Sequence, residues 1–271
     1  MAIYAKGHVR AYNKDHLIQL SHRRHKLTLR GLKVTEPPSI WDSRTHGWVG
    51  PIKDQNSCGS CWIFSGTGVV EIAYNKAGVG GGASKMILSE QYTLSCGKNG
   101  GCNGDDNVTV LDWAKSTGLP LTSDYGPYAG SSRPGCLFKS NMKLFKVDDW
   151  GFADSNGGNG VTSIANIKAA IMAYGCVGAG IAADDAFMNI SPGTVFDQTT
   201  STDIDHDIII IGWDDSKGKN GVWVVRNSWG TGWADGGYCC IGYGVNNVGT
   251  EAVFAQVNPS SPPVDVLQWD V

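Results

Sequence analysis

Helical patterning comes first along this chain, and strand-like apolar runs come later. Between residues 163 and 174 the apolar positions share one helical face, with Ser163 as a natural N-cap and Gly175 as a stop. That face consists of Ile164, Ile167, Ile171 and Tyr174. Further helices are predicted at 61–77, 89–95 and 108–116, and strands at 177–182, 207–213, 222–227, 238–243 and 252–257. This order predicts an α+β fold with a helical lobe packed on a β lobe.

Composition and charge narrow the classes of function. The 271 residues suffice for one large domain or two fused lobes, and 41% hydrophobic with 17% charged residues excludes wholesale disorder. A net charge of −3 gives no footprint for nucleic acid. The best apolar run, 208–211, is far shorter than the roughly 18 residues that cross a bilayer, so no membrane span is expected.

The charge is unevenly distributed between the first 36 residues and the rest. Residues 1–36 carry eight Lys/Arg against Asp15 and Glu36, a balance of +6, which leaves −9 for the remainder. Two interpretations are open: a solvated basic tail, or an arm that docks on the acidic body behind it. The arm lacks the apolar stretch of a secretory signal.

The eight cysteines allow a zinc site, a redox pair, or disulfides around a reactive thiol. The spacing from Cys96 to Cys102 is wider than zinc ligand pairs prefer, and no histidine lies near enough in sequence to complete a site. A redox pair at Cys58 and Cys61 should follow a strand, yet residues 50–57 have the polar pattern of a loop. Disulfides around a reactive thiol are therefore favoured, and no metal is expected.

Cys61 is the candidate nucleophile because it falls in the first turn of the helix predicted at 61–77, after Ser60 as N-cap. Free backbone N–H groups and the helix dipole favour a thiolate there. The alternative is that Cys61 is one more disulfide partner. Outside the basic arm only His46 and His206 could act as its base. His46 lies in a turn-like stretch, whereas His206 opens a buried strand, and Asn227 at the end of a neighbouring strand could orient its ring.

Several motifs in the same order resemble the papain-like cysteine proteases, over about residues 37–257. They are Gln55 six residues before Cys61, Cys58-Gly59-Ser60-Cys61-Trp62, Leu88-Ser89-Glu90-Gln91, Cys102-Asn103-Gly104, Asp205-His206 and Asn227-Ser228-Trp229-Gly230. The resemblance implies a two-lobe fold, with a helical lobe on an antiparallel β-barrel-like lobe and an active-site cleft between them.

The resemblance also implies a role for each catalytic residue, without a cofactor. Cys61 is the nucleophile, His206 the general base and acid, and Asn227 orients His206. Trp229 shields that hydrogen bond from water. The side-chain amide of Gln55 and the backbone N–H of Cys61 form the oxyanion hole.

Two disulfides follow from the resemblance, Cys58–Cys102 and Cys96–Cys136, which leaves Cys61 free. The usual third bridge lacks its cysteines, because its ends fall near Thr200 and Val248. Cys176 either pairs with one of the adjacent Cys239 and Cys240, or these cysteines remain unbridged thiols.

The resemblance also implies substrate contacts along both walls of the cleft. An extended peptide pairs with backbone at Gly104 and Asp105, and the carboxylates of Asp105 and Asp106 favour basic residues in it. Asp205 and Trp229 contact it from the other lobe. The pocket for the second residue before the cut is lined by Gly180, Ile204 and Val253, which predicts an apolar preference there. Asp207 either raises the pKa of His206 or points away along the strand.

The chain is accordingly divided into the basic arm at 1–36, a catalytic domain at 37–258 and a Pro/Ser-rich tail at 259–271. The helical lobe spans about 41–148 and the β lobe about 149–257. The expected function is a cysteine endopeptidase acting on peptide or protein substrates as a monomer, with the arm as a short inhibitory pro-segment. An exopeptidase is not expected because no His-rich insertion lies between Cys102 and Cys136.

Two further expectations concern compartment and an alternative function. The disulfides indicate a secreted, periplasmic or lysosome/vacuole-like oxidising compartment, although no export signal is visible. A catalytically dead, peptide-binding member of the same fold is the alternative, which loss of any catalytic position would favour. All the catalytic positions are present.

Overall fold

The structure is a computed structural model that describes residues 4–8, 36–79, 86–97, 100–132, 135–137, 139, 142–154, 157–261 and 263–265. Most of the arm at 1–36 and the end of the tail at 259–271 lie outside the described residues.

Six α-helices occur among these residues. They are α1 Cys61–Lys76, α2 Glu90–Cys96, α3 Asn107–Ser116, α4 Thr122–Tyr125, α5 Ile164–Tyr174 and α6 Asp185–Met188. Short 3₁₀ helices span Gly101–Asn103 and Val245–Asn247. The four helices predicted from the sequence correspond to α1, α2, α3 and α5, with ends shifted by a residue or two.

The described strands form one large and one small sheet. The strands are β1 Ile40–Asp42, β2 Leu119–Pro120, β3 Lys143–Phe145, β4 Asp149–Phe152, β5 Val177–Ile181, β6 Val195–Phe196, β7 His206–Asp214, β8 Val222–Arg226, β9 Tyr238–Gly242, β10 Thr250–Gln256 and β11 Val264–Asp265. The five predicted strands are β5, β7, β8, β9 and β10. The others are short or polar, so their pattern gave no signal.

The large sheet has the order β4-β10-β5-β7-β8-β9-β6, with β1 paired to the end of β7. Its pairs are antiparallel except β6 with β9, which is parallel. The α+β class is confirmed, and the sheet of the described residues does not close into a barrel. The small sheet, β11-β3-β2, lies beside the helical part.

Helix α1 is the centre of the molecule, since every residue from Cys61 to Asn75 is buried. Two glycines allow its neighbours to approach closely. A Cβ on Gly66 would lie 2.5 Å from the Cβ of Val110 in α3, and one on Gly68 would lie 2.4 Å from Cδ1 of Ile209 in β7. The two glycines lower the helix propensity of α1, but they allow close contact with both a helix and the sheet.

The helix ends follow the predicted capping in part. Ser163 accepts a hydrogen bond from the Asn166 N–H, and Gly175 ends α5 with φ 100°, a left-handed conformation that suits glycine. Ser60 occupies the N-cap position of α1, but its side chain makes no capping bond and instead lies 2.7 Å from the Tyr128 hydroxyl. Ser60 therefore holds the predicted N-cap position without a side-chain capping bond.

The cysteines are arranged as disulfides around free thiols. Bridges join Cys58 to Cys102 and Cys96 to Cys136, the two pairs that the resemblance implied. Cys61, Cys176, Cys239 and Cys240 are free. Of the alternatives left open by the sequence, the structure has unbridged thiols.

A buried ion-pair network fixes the loop that precedes α1. The Lys53 Nζ lies 2.5 Å from the Glu71 Oε1 in α1 and 2.6 Å from the Glu90 Oε1 at the start of α2. Arg226, at the end of β8, donates to the Pro51 carbonyl at 2.5 Å and lies 3.9 Å from the Glu71 carboxylate. The loop is thereby tied to two helices and the sheet.

No helix of the described residues is both long and apolar enough to cross a membrane.

Lys53→Met should destabilise the protein by roughly 3–5 kcal/mol, because the buried Glu90 would lose its cation and Glu71 would keep only the more distant Arg226. The matched control is Lys115→Met, which removes a pair whose lysine side chain is 40% exposed and should cost less than about 1 kcal/mol. Urea unfolding followed by tryptophan fluorescence measures both. Equal losses for the two variants would contradict the structural role of the network.

Candidate active site

Cys61 is the first residue of α1 and is wholly buried. The backbone N–H groups of Trp62, in the first turn of α1, and of Asp207, in β7, act on its sulfur and favour the thiolate, which lowers the pKa of Cys61 against larger opposing effects. A third N–H comes from Gly7 of the arm. Because Asp207 directly follows His206, the sulfur lies beside the start of β7. The candidate nucleophile and the candidate base therefore stand at the starts of two elements, α1 and β7, that pack against each other.

The hydrogen bonds of His206 define which ring nitrogen can act as a base. The Asn227 Oδ1 accepts from the Ser228 N–H at 2.8 Å, which identifies this atom as the amide oxygen. The His206 Nε2 lies 2.8 Å from the same oxygen and must donate to it. The neutral ring then carries its lone pair on Nδ1, a buried atom with no hydrogen-bond partner. Asn227 thus sets a tautomer whose Nδ1 is free to accept a proton.

The Trp229 ring lies over the His206 ring beside this hydrogen bond. The two rings stack with centroids 4.4 Å apart, and Trp229 is itself only 4% exposed. An amide-to-imidazole bond shielded in this way keeps its strength because water does not compete for it.

Gln55 presents its side-chain amide to the cleft in a fixed orientation. The Ser228 hydroxyl donates to the Gln55 Oε1 at 2.6 Å, so the Nε2 must point the other way. That Nε2 donates to the Cys58 carbonyl at 3.0 Å and to the Ala5 carbonyl of the arm at 2.9 Å. The amide is therefore already placed to hold a peptide carbonyl oxygen.

The other candidate base lies elsewhere. His46 stacks between Trp41 and Trp48, with centroids 4.5 Å and 4.6 Å away. Trp41 pairs with Trp213, seven residues along β7 from His206, a separation of about 20 Å in a strand. His46 is thus a surface residue, as its turn-like sequence suggested.

Residues 4–8 of the arm lie in the cleft, beginning at Trp229. The Tyr4 ring stacks on Trp229 with centroids 4.7 Å apart. The Ala5 carbonyl accepts hydrogen bonds from both the Gln55 amide and the Trp229 indole N–H, the latter at 3.1 Å. The arm therefore fills the position where a peptide carbonyl would be polarised.

The segment continues along the opposite wall of the cleft. A Cβ on Gly7 would lie 1.9 Å from the Gly59 carbonyl oxygen, so only glycine fits there. The Gly7 carbonyl accepts from the Asp105 N–H at 2.9 Å, and the His8 N–H donates to the Asp205 carbonyl at 3.1 Å. Lys6 adds an ion pair of 2.5 Å with the Asp205 carboxylate.

With the segment in place, both catalytic candidates are neutral. Burial and the nearby Asp207 carboxylate raise the pKa of the Cys61 thiol. Burial lowers the pKa of His206 to about 4, against the smaller opposing effects of Asn227 and Asp207. A thiolate–imidazolium pair is therefore disfavoured while this part of the cleft is filled.

Some of the residues expected to bind substrate lie at the cleft, and others do not face it. Gly104, with φ 99°, precedes the Asp105 N–H that pairs with the arm, and Ile204 lies over Gly180, where a Cβ would approach it to 2.9 Å. The Asp105 carboxylate instead accepts bonds from its own loop and α3, so it does not face a peptide. Val253 is wholly buried in the core and does not line the pocket.

Sequence reasoning missed the carboxylate that takes the place assigned to Val253. Glu251 lies at a register shift of β10, with φ 55°, and lines the pocket together with His8 and Ile204. The irregular strand shifts the alternation of side chains, which places Glu251 in the lining and Val253 in the core. The pocket therefore combines the apolar Ile204 and Val161 with an acidic side chain that the predicted apolar lining did not include.

Comparisons with known proteins agree with this geometry. The sequence model described as "Papain family cysteine protease" matches residues 37–256. A cathepsin L-like peptidase of Aedes aegypti is 34% identical over 79% of this chain and 64% of its own length. A probable cysteine protease of Arabidopsis thaliana is 34% identical over 74% of this chain and 41% of its own. The chain therefore spans about two fifths to just under two thirds of these relatives.

A solved structure shows the same fold. The cysteine protease of Carica candamarcensis in complex with E-64 superposes with a TM-score of 0.66 at 31% identity, over 82% of this chain and 99% of that one. On the family match over most of its length and the relatives above 30% identity, this chain belongs to the papain family of cysteine proteases.

Proposed function

We propose that the protein is a cysteine endopeptidase in which Cys61 attacks peptide bonds with His206 as its base. One observation supports this above the others: the Gln55 amide already holds a peptide carbonyl, that of Ala5, in the cleft where Cys61 and the His206–Asn227 pair meet. A substrate carbonyl in that position would be polarised for attack by the adjacent sulfur.

The reaction follows from the tautomer that Asn227 imposes. The His206 Nδ1 takes the proton from Cys61, and the thiolate attacks the carbonyl carbon to form a tetrahedral oxyanion. The Gln55 side-chain amide and the Cys61 backbone N–H stabilise the negative oxygen. The imidazolium then gives its proton to the leaving amine, which leaves a thioester. A water molecule, deprotonated by Nδ1, hydrolyses the thioester and regenerates the thiol.

The docked segment is proposed to inhibit this reaction. In a substrate, the residues before the cut pair with Asp105 and fill the pocket at Ile204. In the arm, the residues found there are Gly7 and His8, which follow the Ala5 carbonyl in sequence. The arm therefore runs opposite to a substrate, and its peptide bonds are presented in the wrong direction for attack while it blocks the cleft.

The compartment and partners follow from the same features. The two disulfides support an oxidising compartment, as in secreted or vacuole-like routes. The partners are peptide or protein substrates bound in the cleft, and the protein's own arm acts as the competing occupant.

Cys61→Ala should reduce hydrolysis of a peptide substrate by at least about 10³-fold, because the nucleophile is lost while the oxyanion hole remains. Cys240→Ala removes another free, half-buried cysteine and should keep the activity. Initial rates with a fluorogenic peptide measure both. Retained hydrolysis in Cys61→Ala would contradict the assignment of Cys61 as the nucleophile.

Gln55→Ala should lower kcat by about 10²–10³-fold, since one donor to the oxyanion disappears, with a smaller change in KM. The control Gln198→Ala removes an exposed glutamine in the loop after β6. Steady-state kinetics on the same peptide separate kcat from KM. A change confined to KM would indicate that Gln55 only binds the substrate.

Gly7→Ala should expel the segment, because the new Cβ would collide with the Gly59 backbone. Peptide hydrolysis and alkylation of Cys61 by iodoacetamide at pH 6–7 should both rise at least about tenfold, equivalent to about 1.4 kcal/mol. In the unaltered chain the raised pKa of Cys61 keeps the thiol protonated, so alkylation should be slow and accelerate as pH rises.

Gly135→Ala is the control for this variant, since a Cβ there meets nothing within 4 Å. It should leave both rates as they are. If Gly7→Ala also changes neither rate, the segment does not inhibit the protein.

A further inference from the structure

His8 of the arm inserts its ring among carboxylates at the pocket beside Ile204. The His8 Nδ1 lies 3.0 Å from the Asp207 Oδ2, and the Nε2 lies 4.0 Å from the Glu251 Oε2. The side chains of Asp207 and Glu251 are only 0% and 4% exposed, and that of His8 8%. The two acidic side chains thus hold a cationic ring from opposite sides, out of contact with bulk water.

A third carboxylate, Asp106, completes the cluster. Its Oδ1 accepts a hydrogen bond from the Val108 N–H and so caps α3, while its Oδ2 is buried and has no hydrogen-bond partner. Burial, and then the charge of Glu251, raise the pKa of Asp106 well above its usual range. The charged groups that act on Asp106 are Glu251, Asp207 and His8, and the only cation among them belongs to the arm.

The same carboxylates also shift the pKa of His8. Burial works against a charged imidazole, yet Asp207, followed by Asp106 and Glu251, raises the pKa of His8 to about 10. The ring is therefore held as an imidazolium. When the arm leaves, the pocket loses this cation and keeps its acidic groups.

The cavity extends beyond the His8 ring. It is bounded by the loop 159–161, by Ile204, and by Asn247, Thr250 and Glu251. Ile204 and Val161 offer apolar surface to an aliphatic stem, and Glu251 lies in the same lining beside the His8 ring, which Asp207 contacts from its other nitrogen. A side chain longer than histidine has room in this space.

We infer that Asp106, Asp207 and Glu251 form a specificity pocket for a cationic side chain, arginine or lysine, at the second residue before the cleaved bond. His8 occupies this pocket in the arm as an internal substitute for that side chain. A neutral side chain there would bury the carboxylates without a counter-charge, which costs binding free energy. The inference rests on the proposed function for the position of the cut.

Binding and cleavage by the full-length chain test the inference separately. The probes are acetyl-Ala-X-Gly-aminomethylcoumarin peptides in which X is arginine, its uncharged isostere citrulline, or norleucine. Binding is measured by fluorescence to the double variant Gly7→Ala/Cys61→Ala, and kcat/KM is measured with Gly7→Ala. The arginine peptide should exceed the citrulline peptide by at least about tenfold in both measurements.

Glu251→Gln should reduce this arginine-to-citrulline ratio at least about threefold, because one carboxylate loses its charge. Asp148→Asn removes an exposed carboxylate from a residue whose N–H donates to Gln256, at the far end of β10 from Glu251. This variant should leave the ratio unchanged. The comparison of arginine with citrulline needs no change in the pocket, so it stands even if Glu251→Gln fails to fold.

The outcomes separate the two proposals. Equal binding of the arginine and citrulline peptides overturns the specificity pocket. Hydrolysis of both peptides at equal rates also overturns the specificity pocket, but it supports the endopeptidase. Selective binding without any Cys61-dependent hydrolysis supports the pocket and overturns the endopeptidase. If none of the peptides binds, both proposals fail.

Discussion

The close packing of helix α1 against strand β7 is the constraint on which the site depends. Gly66 and Gly68 bring the helix so near to α3 and to Ile209 that any larger residue would force the elements apart. Cys61 begins this helix and His206 begins this strand, so the helix–sheet distance sets the relation of sulfur to ring. A displacement of either element would separate the reacting groups even with every catalytic residue present.

Electrostatics organises the rest of the cleft around this contact. The pair formed by His206 and Asn227 is neutral and shielded by Trp229. Beside it, on the next residue of the same strand, Asp207 faces the other way and joins an acidic pocket. Alternation along β7 thus separates the proton-transfer group from the charge that holds the cationic arm.

The sequence predicted most of the fold because those signals are local. It also singled out Cys61, from its helix start, and His206, from the mouth of a buried strand, as the residues now proposed to carry the reaction. Glu251 was missed because Val253 was assigned from the family resemblance, whereas a bulge in β10 decides which side chain reaches the pocket. The charge imbalance predicted that the arm could dock, but the fit of Gly7 against Gly59 is steric, and no property of a single sequence reports it. Ser60 is the N-cap residue of α1 but makes no side-chain capping bond, because its hydroxyl contacts Tyr128, which is distant in sequence.

Both disulfides lie on the helical side of the molecule, whereas Cys176, Cys239 and Cys240 are free in or beside the large sheet. A reducing environment would consequently act on one half alone. The turn that carries Cys58 and the wall that carries Asp105 would lose their covalent tether, and the sheet with its histidine would be untouched. Reduction of the disulfides therefore changes the geometry of the cleft under milder conditions than those that unfold the protein.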